Sequence, residues 1–216
     1  RRQRQMCIRD SCYLLGRVAF AREDWETAAD YLGRAVEAKP GFWPAMAQWA
    51  LALTAAGRTD EALSVLKQIP EGRPGPGVVE LLRGSVLMRA HRYEEARRAL
   101  EQAVQAAPTN LAARCELAGV YEKLGLLDEA IELLKGNLTI DPHHSDSLNA
   151  LGYFYAEKDE RLAEAEKLVR QALEQEPDNG AYLDSLGWVF FKQGRLQEAL
   201  RTLLQAADRL ADPVIY

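Results

Sequence analysis

Apolar residues recur along the chain at spacings of three, four and seven, the pattern of one face of an amphipathic helix. The stretch 180–206 shows it twice in succession, with Leu186 and Phe190 in the first half and Ala199 in the second. Gly194 separates the halves, and glycine is the residue that most readily adopts the left-handed conformation ending a helix. This stretch therefore predicts a helical hairpin. Because so short a hairpin cannot bury both apolar faces by itself, we expect similar hairpins beside it.

The same pattern repeats with a fixed period. An Ala-x3-Leu/Val-x2-Ala motif, followed in most copies by proline, marks each second helix. Its first alanines lie 34 residues apart, except for one interval of 35 explained by an insertion near Asp159–Arg161. These alanines are Ala28, Ala62, Ala96, Ala130, Ala165 and Ala199. Small residues keep the same phase in the first helices, where we expect them to let the two helices approach closely: Gly16, Ala50, Gly84, Ala118, Gly152 and Gly187.

This arrangement resembles the tetratricopeptide repeat (TPR), whose pattern is W-x2-L-G-x2-Y … A-x3-F … A … P over 34 residues. The resemblance implies an all-α solenoid of stacked antiparallel helix pairs in a right-handed superhelix. It covers six repeats, and Asp212-Pro213 matches the way this family opens another. The expected boundaries are 9–42, 43–76, 77–110, 111–144, 145–179 and 180–207, with 208–216 as the start of a seventh repeat.

The first eleven residues, RRQRQMCIRDS, are basic and match no repeat. The segment MCIRDS is what the transposon adapter of shotgun sequencing libraries encodes in one reading frame. We therefore expect residues 1–11 to be a non-native, adapter-derived segment and 12–216 to be a single array, a fragment open at both ends. Such a segment is excluded from reasoning about the fold.

One repeat departs from the pattern. Residues 69–77 read IPEGRPGPG, with three prolines and three glycines after Ile69. Neither residue type is favoured inside a helix. We expect the second helix of this repeat to be short and its connection to the next repeat irregular.

The chemistry carried by the chain points away from catalysis. The three histidines, His91, His143 and His144, lie at expected turns, and no cysteine–histidine spacing typical of a metal site occurs. We expect no enzyme activity and no cofactor. A formal net charge of −5 disfavours nucleic acid, including a pentatricopeptide-like RNA-reading array. No apolar run is long enough to insert in a membrane.

In TPR arrays the first helices line a concave groove, so the resemblance assigns binding residues. Repeats 4–6 combine acids with aromatic residues at these positions, and aromatic anchors dominate binding energy in many interfaces. We expect the groove to bind a peptide segment with apolar and basic side chains. Tyr153 and Trp188 could instead belong to the core. The candidate peptide-binding residues are Glu116, Asn149, Tyr153, Asp184, Trp188 and Phe191.

Two functional interpretations remain open at this point. The first is a non-enzymatic scaffold or adaptor for protein–protein interaction; the alternative is the substrate-docking or regulatory region of a larger enzyme. The Lys, Asn and Arg set with which some TPR proteins hold the C-terminal carboxylate of Hsp70 or Hsp90 has no match in any three consecutive repeats. Residues 148–216 are also similar to the last repeats of bacterial cell-envelope TPR lipoproteins, which slightly favours a periplasmic over a cytoplasmic location.

Overall fold

The computed structural model describes residues 2–70 and 72–211, with side chains from Arg9 onwards to Leu210. Over these residues the chain is all-α, with twelve helices and no strand, as predicted. The helices are α1 (Arg2–Ala21), α2 (Trp25–Ala38), α3 (Trp43–Ala55), α4 (Thr59–Leu66), α5 (Val78–Arg89), α6 (Tyr93–Ala106), α7 (Leu111–Lys123), α8 (Leu127–Ile140), α9 (Ser145–Glu157), α10 (Leu162–Gln175), α11 (Gly180–Lys192) and α12 (Leu196–Ala211).

The observed ends of three helices can be compared with the boundaries expected from the sequence. Helix α1 begins at Arg2, so it includes most of the segment 1–11. Helix α12 continues to Ala211 and thus passes the boundary expected at 207, while Pro213 lies outside the described residues. Helix α4 has 8 residues where α2, α6, α8 and α10 each have 14. The shortened second helix expected in repeat 2 is confirmed.

The helices fall into two compact units, one up to Val120 and one from Tyr121 onwards. In unit 1, α1 packs on α2, α3 on α4 and α5 on α6, and α3 also contacts α1 and α5. In unit 2, α9 packs on α10 and α11 on α12, and α9 also contacts α11. First helices therefore lie beside first helices within each unit. The core of unit 1 includes Leu32, Met46, Leu53, Leu66 and Val86, and unit 2 buries Leu148, Ala172 and Tyr182.

Every hairpin turn is closed in the same way. One residue adopts a left-handed conformation, and the next donates its backbone N–H to a carbonyl five residues earlier, as from Arg195 to Phe190 at 2.9 Å. This double feature is the Schellman motif, which satisfies carbonyls at a helix end. The left-handed residues have φ between 52° and 79°: Glu23, Gly57, His91, Gly125, Asp159 and Gly194. The inserted residue of repeat 5 falls here, since Arg161 also has a positive φ of 48°.

The small residues of the first helices face the second helices at close range. A Cβ atom added to Gly187 would lie 2.6 Å from Leu203 Cγ. At Gly152 it would lie 2.6 Å from Val169 Cγ2 and 2.8 Å from the carbonyl oxygen of Ala165. These distances are shorter than van der Waals contact, so the expected close approach of the two helices is confirmed at both hairpins.

A recurring set of ion pairs joins successive hairpins. Arg58, Arg92 and Arg195 each follow the left-handed turn residue and bind a glutamate three residues later. Each also binds an acid on the preceding second helix. The pairs are Arg58 with Glu61 and Glu26 at 2.8 and 3.1 Å, Arg92 with Glu95 and Asp60 at 2.7 and 2.9 Å, and Arg195 with Glu198 and Glu166 at 2.5 and 2.6 Å. Exposed pairs of this kind each contribute little to stability, because solvent and salt screen the charges.

Candidate functional site

Five of the six candidate residues lie on two neighbouring helices of unit 2. Asn149 and Tyr153 lie four residues apart on α9, and Asp184 and Trp188 have the same spacing on α11. Residues four apart share one face of a helix. Together with Phe191, these side chains form what we call the α9–α11 surface. Equivalent positions of two successive repeats thus contribute to one continuous surface.

Two polar atoms of this surface are buried without a hydrogen-bond partner. They are Asn149 Oδ1 and the indole Nε1 of Trp188, neither of which has a partner within the described part of the chain. Their side chains are only half-buried. A buried polar group left unpaired costs about 1–3 kcal/mol. One group is an acceptor and the other a donor, and both are shielded from solvent in the free chain.

Tyr153 lies in negatively charged surroundings. The pKa of Tyr153 is raised to about 12, mainly by burial. The charges of Glu157 and Glu122, a hydrogen bond with Glu157 and the charge of Asp184 act in the same direction. The carboxylates act in this direction because they disfavour the phenolate anion. The same field favours cationic side chains nearby. The tyrosine itself stays neutral at physiological pH and donates its proton to Glu157.

The aromatic part of the surface is ordered by ring contacts on α11. The rings of Trp188 and Phe191 stack with centroids 5.2 Å apart and 22° between their planes. Lys192 Nζ lies 5.5 Å from the Trp188 ring centroid and also binds Asp159 at 3.1 Å. Phe191 is 48% exposed, so its ring is accessible to a partner. Trp188 and Tyr153 are half-buried, which places neither of them in the fully buried core.

Glu116, the sixth candidate, lies on α7 in unit 1. Its carboxylate Oε2 accepts a 2.6 Å hydrogen bond from Ser85 on α5. Burial raises the pKa of Glu116, while the bond from Ser85 and the charge of Arg89 act in the opposite direction. This carboxylate therefore already has an internal partner.

Residues beside the α9–α11 surface also form hydrogen bonds within the chain. The hydroxyl of Tyr182 donates a 2.6 Å bond to Asp146 Oδ1 and so joins α11 to α9. Burial and this carboxylate raise the pKa of Tyr182. Sequence reasoning missed Ser85 and Tyr182 as partners, since nothing in the repeat pattern singles them out.

The histidines take structural positions. Nδ1 of His144 accepts the backbone N–H of Ser147 at 3.3 Å and thereby caps α9. Among the described residues, no group of three or more histidine, cysteine or acidic side chains could hold a metal ion. Within the same part of the chain, no helix is both long and apolar enough to cross a membrane.

Comparison with protein families gives tetratricopeptide repeat models over residues 19–83, 87–152 and 155–213. The chain is 31% identical over 201 residues to the TPR repeat-containing protein PA4667 of Pseudomonas aeruginosa. The match covers 92% of this chain but only 34% of that protein. The chain thus spans about a third of the length of this curated relative.

Solved structures agree on the fold. TTC0263, a thermophilic TPR protein of Thermus thermophilus, has a TM-score of 0.66 at 22% identity, covering 78% of this chain and 92% of its own. YrrB, described as a TPR protein with an unusual peptide-binding site, has a TM-score of 0.54 at 21% identity, and the match covers 86% of this chain and 95% of YrrB. A chain of the APC/C hetero-tetramer Cut9–Hcn1 has a TM-score of 0.73 at 15% identity, and the match covers 99% of this chain and 44% of that chain. From its repeat period, its twelve helices and these matches, the chain belongs to the tetratricopeptide repeat family.

Proposed function

We propose that this chain is a non-enzymatic interaction scaffold whose α9–α11 surface binds a peptide segment of a partner protein. The observation that carries the proposal is the pair of buried, unpartnered atoms, Asn149 Oδ1 and Trp188 Nε1. Both atoms are shielded from solvent in the free chain, so a peptide lying across α9 and α11 must displace the two half-buried side chains to donate a backbone N–H to the first and accept from the second. Binding would then remove an energetic cost that the free protein carries.

The charges and rings of the surface define the class of peptide. The pKa of Tyr153 is raised by three carboxylates, those of Glu122, Glu157 and Asp184. Their negative field therefore acts at the position of Tyr153. Basic side chains fit this field, and the exposed ring of Phe191 beside Trp188 fits an apolar side chain. The preferred partner is a segment in which basic and apolar residues alternate or lie side by side. Its affinity should fall with salt, because surface charges are screened.

A peptide-pool experiment tests this proposal. The immobilised protein is offered octapeptides with Lys or Arg at alternate positions and Leu, Val or Ala between them. A second pool carries Asn or Gln in place of the basic residues. We expect the basic pool to be retained about tenfold better. Trp188→Ala should remove this retention, and Asp184→Asn should reduce the preference for the basic pool.

Two controls separate binding from folding. Trp188→Phe keeps an aromatic ring but removes the N–H donor, so it should weaken retention while helicity is unchanged. Trp49→Phe makes the same change on α3 of unit 1 and should leave retention intact. If Trp188→Ala lowers the melting temperature while retention of the basic pool survives, Trp188 is a core residue and the proposal fails.

A further inference from the structure

The short helix α4 leaves an open cleft in unit 1, with a volume of about 880 Å³. Its walls are the end of α4, the loop that follows, the first turns of α5 and the last turn of α6. Helix α4 lacks six residues relative to the second helices of 14 residues. Six residues correspond to about 9 Å of helix. The cleft opens beyond the point where α4 stops.

The cleft combines an apolar floor with a basic rim. Leu66 and Ile69 form part of the floor and are 1% and 8% exposed. Lys67, Arg73 and Arg83 also line the cleft. The only acid among the described lining residues is Glu80. The chain carries a net negative charge, so this concentration of positive charge is a local feature.

The three cations have no ion-pair partner among the described residues 9–70 and 72–210. In the same unit, Arg58 and Arg92 each bind two acids. Within the described residues, the ion pairs that stabilise the hairpins therefore do not involve the cations of the cleft; Glu71 of the same loop lies outside the described residues. Carboxylates are the protein groups that would complement them best.

We propose that this cleft, which we call the α4–α6 cleft, binds a short acidic peptide segment of a partner protein. Carboxylates of the peptide pair with Lys67, Arg73 and Arg83, and an apolar side chain packs against the half-buried Val79, which also lines the cleft. The volume lies within the range of about 300–1,000 Å³ typical of ligand pockets. None of the described lining residues is aromatic. A peptide fits better than a nucleic acid strand, whose bases bind largely by stacking on aromatic rings.

The site is independent of the α9–α11 surface and selects the opposite charge, so the two proposals can fail separately. The immobilised protein is offered a pool of octapeptides with Asp or Glu at alternate positions and Leu, Val or Ala between them. The comparison pool replaces the acids with Asn or Gln. We expect about tenfold better retention of the acidic pool at 50 mM salt, and little retention at 1 M salt.

Variants locate the binding. Lys67→Gln and Arg83→Gln should each reduce retention about twofold to fivefold, as expected for the loss of one partly exposed ion pair. Arg22→Gln removes an exposed arginine outside the cleft and should change nothing, and Trp188→Ala should leave retention of the acidic pool intact. The proposal is wrong if the acidic pool is retained no better than the amide pool, or if Arg22→Gln has the same effect as Arg83→Gln. Tighter retention of a single-stranded oligonucleotide, also lost in Arg83→Gln, would contradict a peptide ligand.

Discussion

The hydroxyl of Ser85 on α5 lies 2.6 Å from Glu116 Oε2 on α7 and donates a hydrogen bond to it. Ser85 Oγ is also 3.1 Å from the carbonyl oxygen of Leu81. One hydroxyl proton cannot serve both acceptors at once. A neutral amide in place of the carboxylate could instead donate to Ser85, whose proton would then be free for Leu81.

This geometry predicts that Glu116→Gln stabilises the protein at neutral pH, on the order of 1 kcal/mol, because a buried charge is replaced by a paired neutral group. Burial raises the pKa of Glu116 above its usual value of 4.5. The folded state is therefore favoured by protonation, and this stability is lost as pH rises through the folded pKa. Melting curves should show the benefit of Glu116→Gln near pH 7–8 and its disappearance below about pH 4.5. Glu37→Gln, on the exposed face of α2, is the control and should leave the melting temperature at pH 7 nearly unchanged.

The turn residue Glu23 gives a second prediction. It has a φ of 58°, a conformation that costs an L-residue about 1–2 kcal/mol and glycine almost nothing. Glycine also makes the unfolded chain more flexible, which offsets about 0.4–1 kcal/mol of the gain. Glu23→Gly should therefore raise the free energy of unfolding by about 0.5–1 kcal/mol, measured in urea. Glu23→Ala removes the same charge without relieving the backbone, and an equal gain in this variant would disprove the explanation.

A third prediction concerns the contact at Gly152. Its added Cβ would meet Val169 Cγ2 and the backbone oxygen of Ala165, and a backbone oxygen cannot rotate away. Gly152→Ala should destabilise unit 2 by about 1–3 kcal/mol, more than the helix propensity gained. Gly119→Ala is the matched control, because its Cβ would meet only the flexible Met88 Cε at 3.3 Å. That variant should be neutral or slightly stabilising, and similar losses at both sites would contradict the packing argument.

The fourth prediction concerns Glu166, which accepts hydrogen bonds from Arg170, Gln193 and Arg195. Burial raises its pKa, but these three bonds outweigh burial and the pKa lies below the usual value. A lowered pKa contributes stability above pH 4.5 that is lost as pH falls through the folded pKa. Glu166→Gln should therefore cost about 0.5–1 kcal/mol at pH 7 and progressively less at lower pH.

Thermal melts of Glu166→Gln at several pH values and in 1 M NaCl test this prediction. The destabilisation should shrink in high salt, since the partly exposed arginines are screened. Glu174→Gln, at an exposed position of the same helix α10, serves as the control and should have no measurable effect. A loss that is the same at pH 4 and pH 7 would indicate packing rather than charge.

Periodicity predicted the features of the fold that recur in every repeat. The 34-residue phase located the helices and the small-residue contacts of Gly152 and Gly187, and the prolines and glycines of 69–77 predicted the shortened α4. These features depend on residue size and backbone conformation at fixed positions. It placed five candidate residues on two adjacent helices of unit 2. It could not reveal that Ser85 binds Glu116 or that Tyr182 binds Asp146. Those contacts depend on the rotamers of side chains 31 and 36 residues apart.

The cleft beside α4 escaped prediction for a related reason. The prolines and glycines of 69–77 indicate that a helix ends, but a helix ending does not specify which groups line the space beyond it. Lys67 and Arg83 lie on different hairpins, and only the packing of α5 against α4 brings them to one cleft. An unpaired charge or an unpaired indole N–H can be recognised only from the three-dimensional positions of all neighbouring side chains.

The ion pairs between hairpins have a consequence for how such a chain can grow. Each of Arg58, Arg92 and Arg195 finds one acid in its own hairpin and one in the preceding hairpin. A gene duplication of one whole repeat therefore supplies both halves of the link and preserves it. An insertion of another length does not, as repeat 5 illustrates. There, among the described residues, Arg161 pairs with Glu164 of its own hairpin, and Lys158 makes the connection to Asp128 at 2.6 Å. A repeat of 34 residues thus keeps the link where arginine follows the turn residue, whereas the repeat of 35 residues makes it through a different cation.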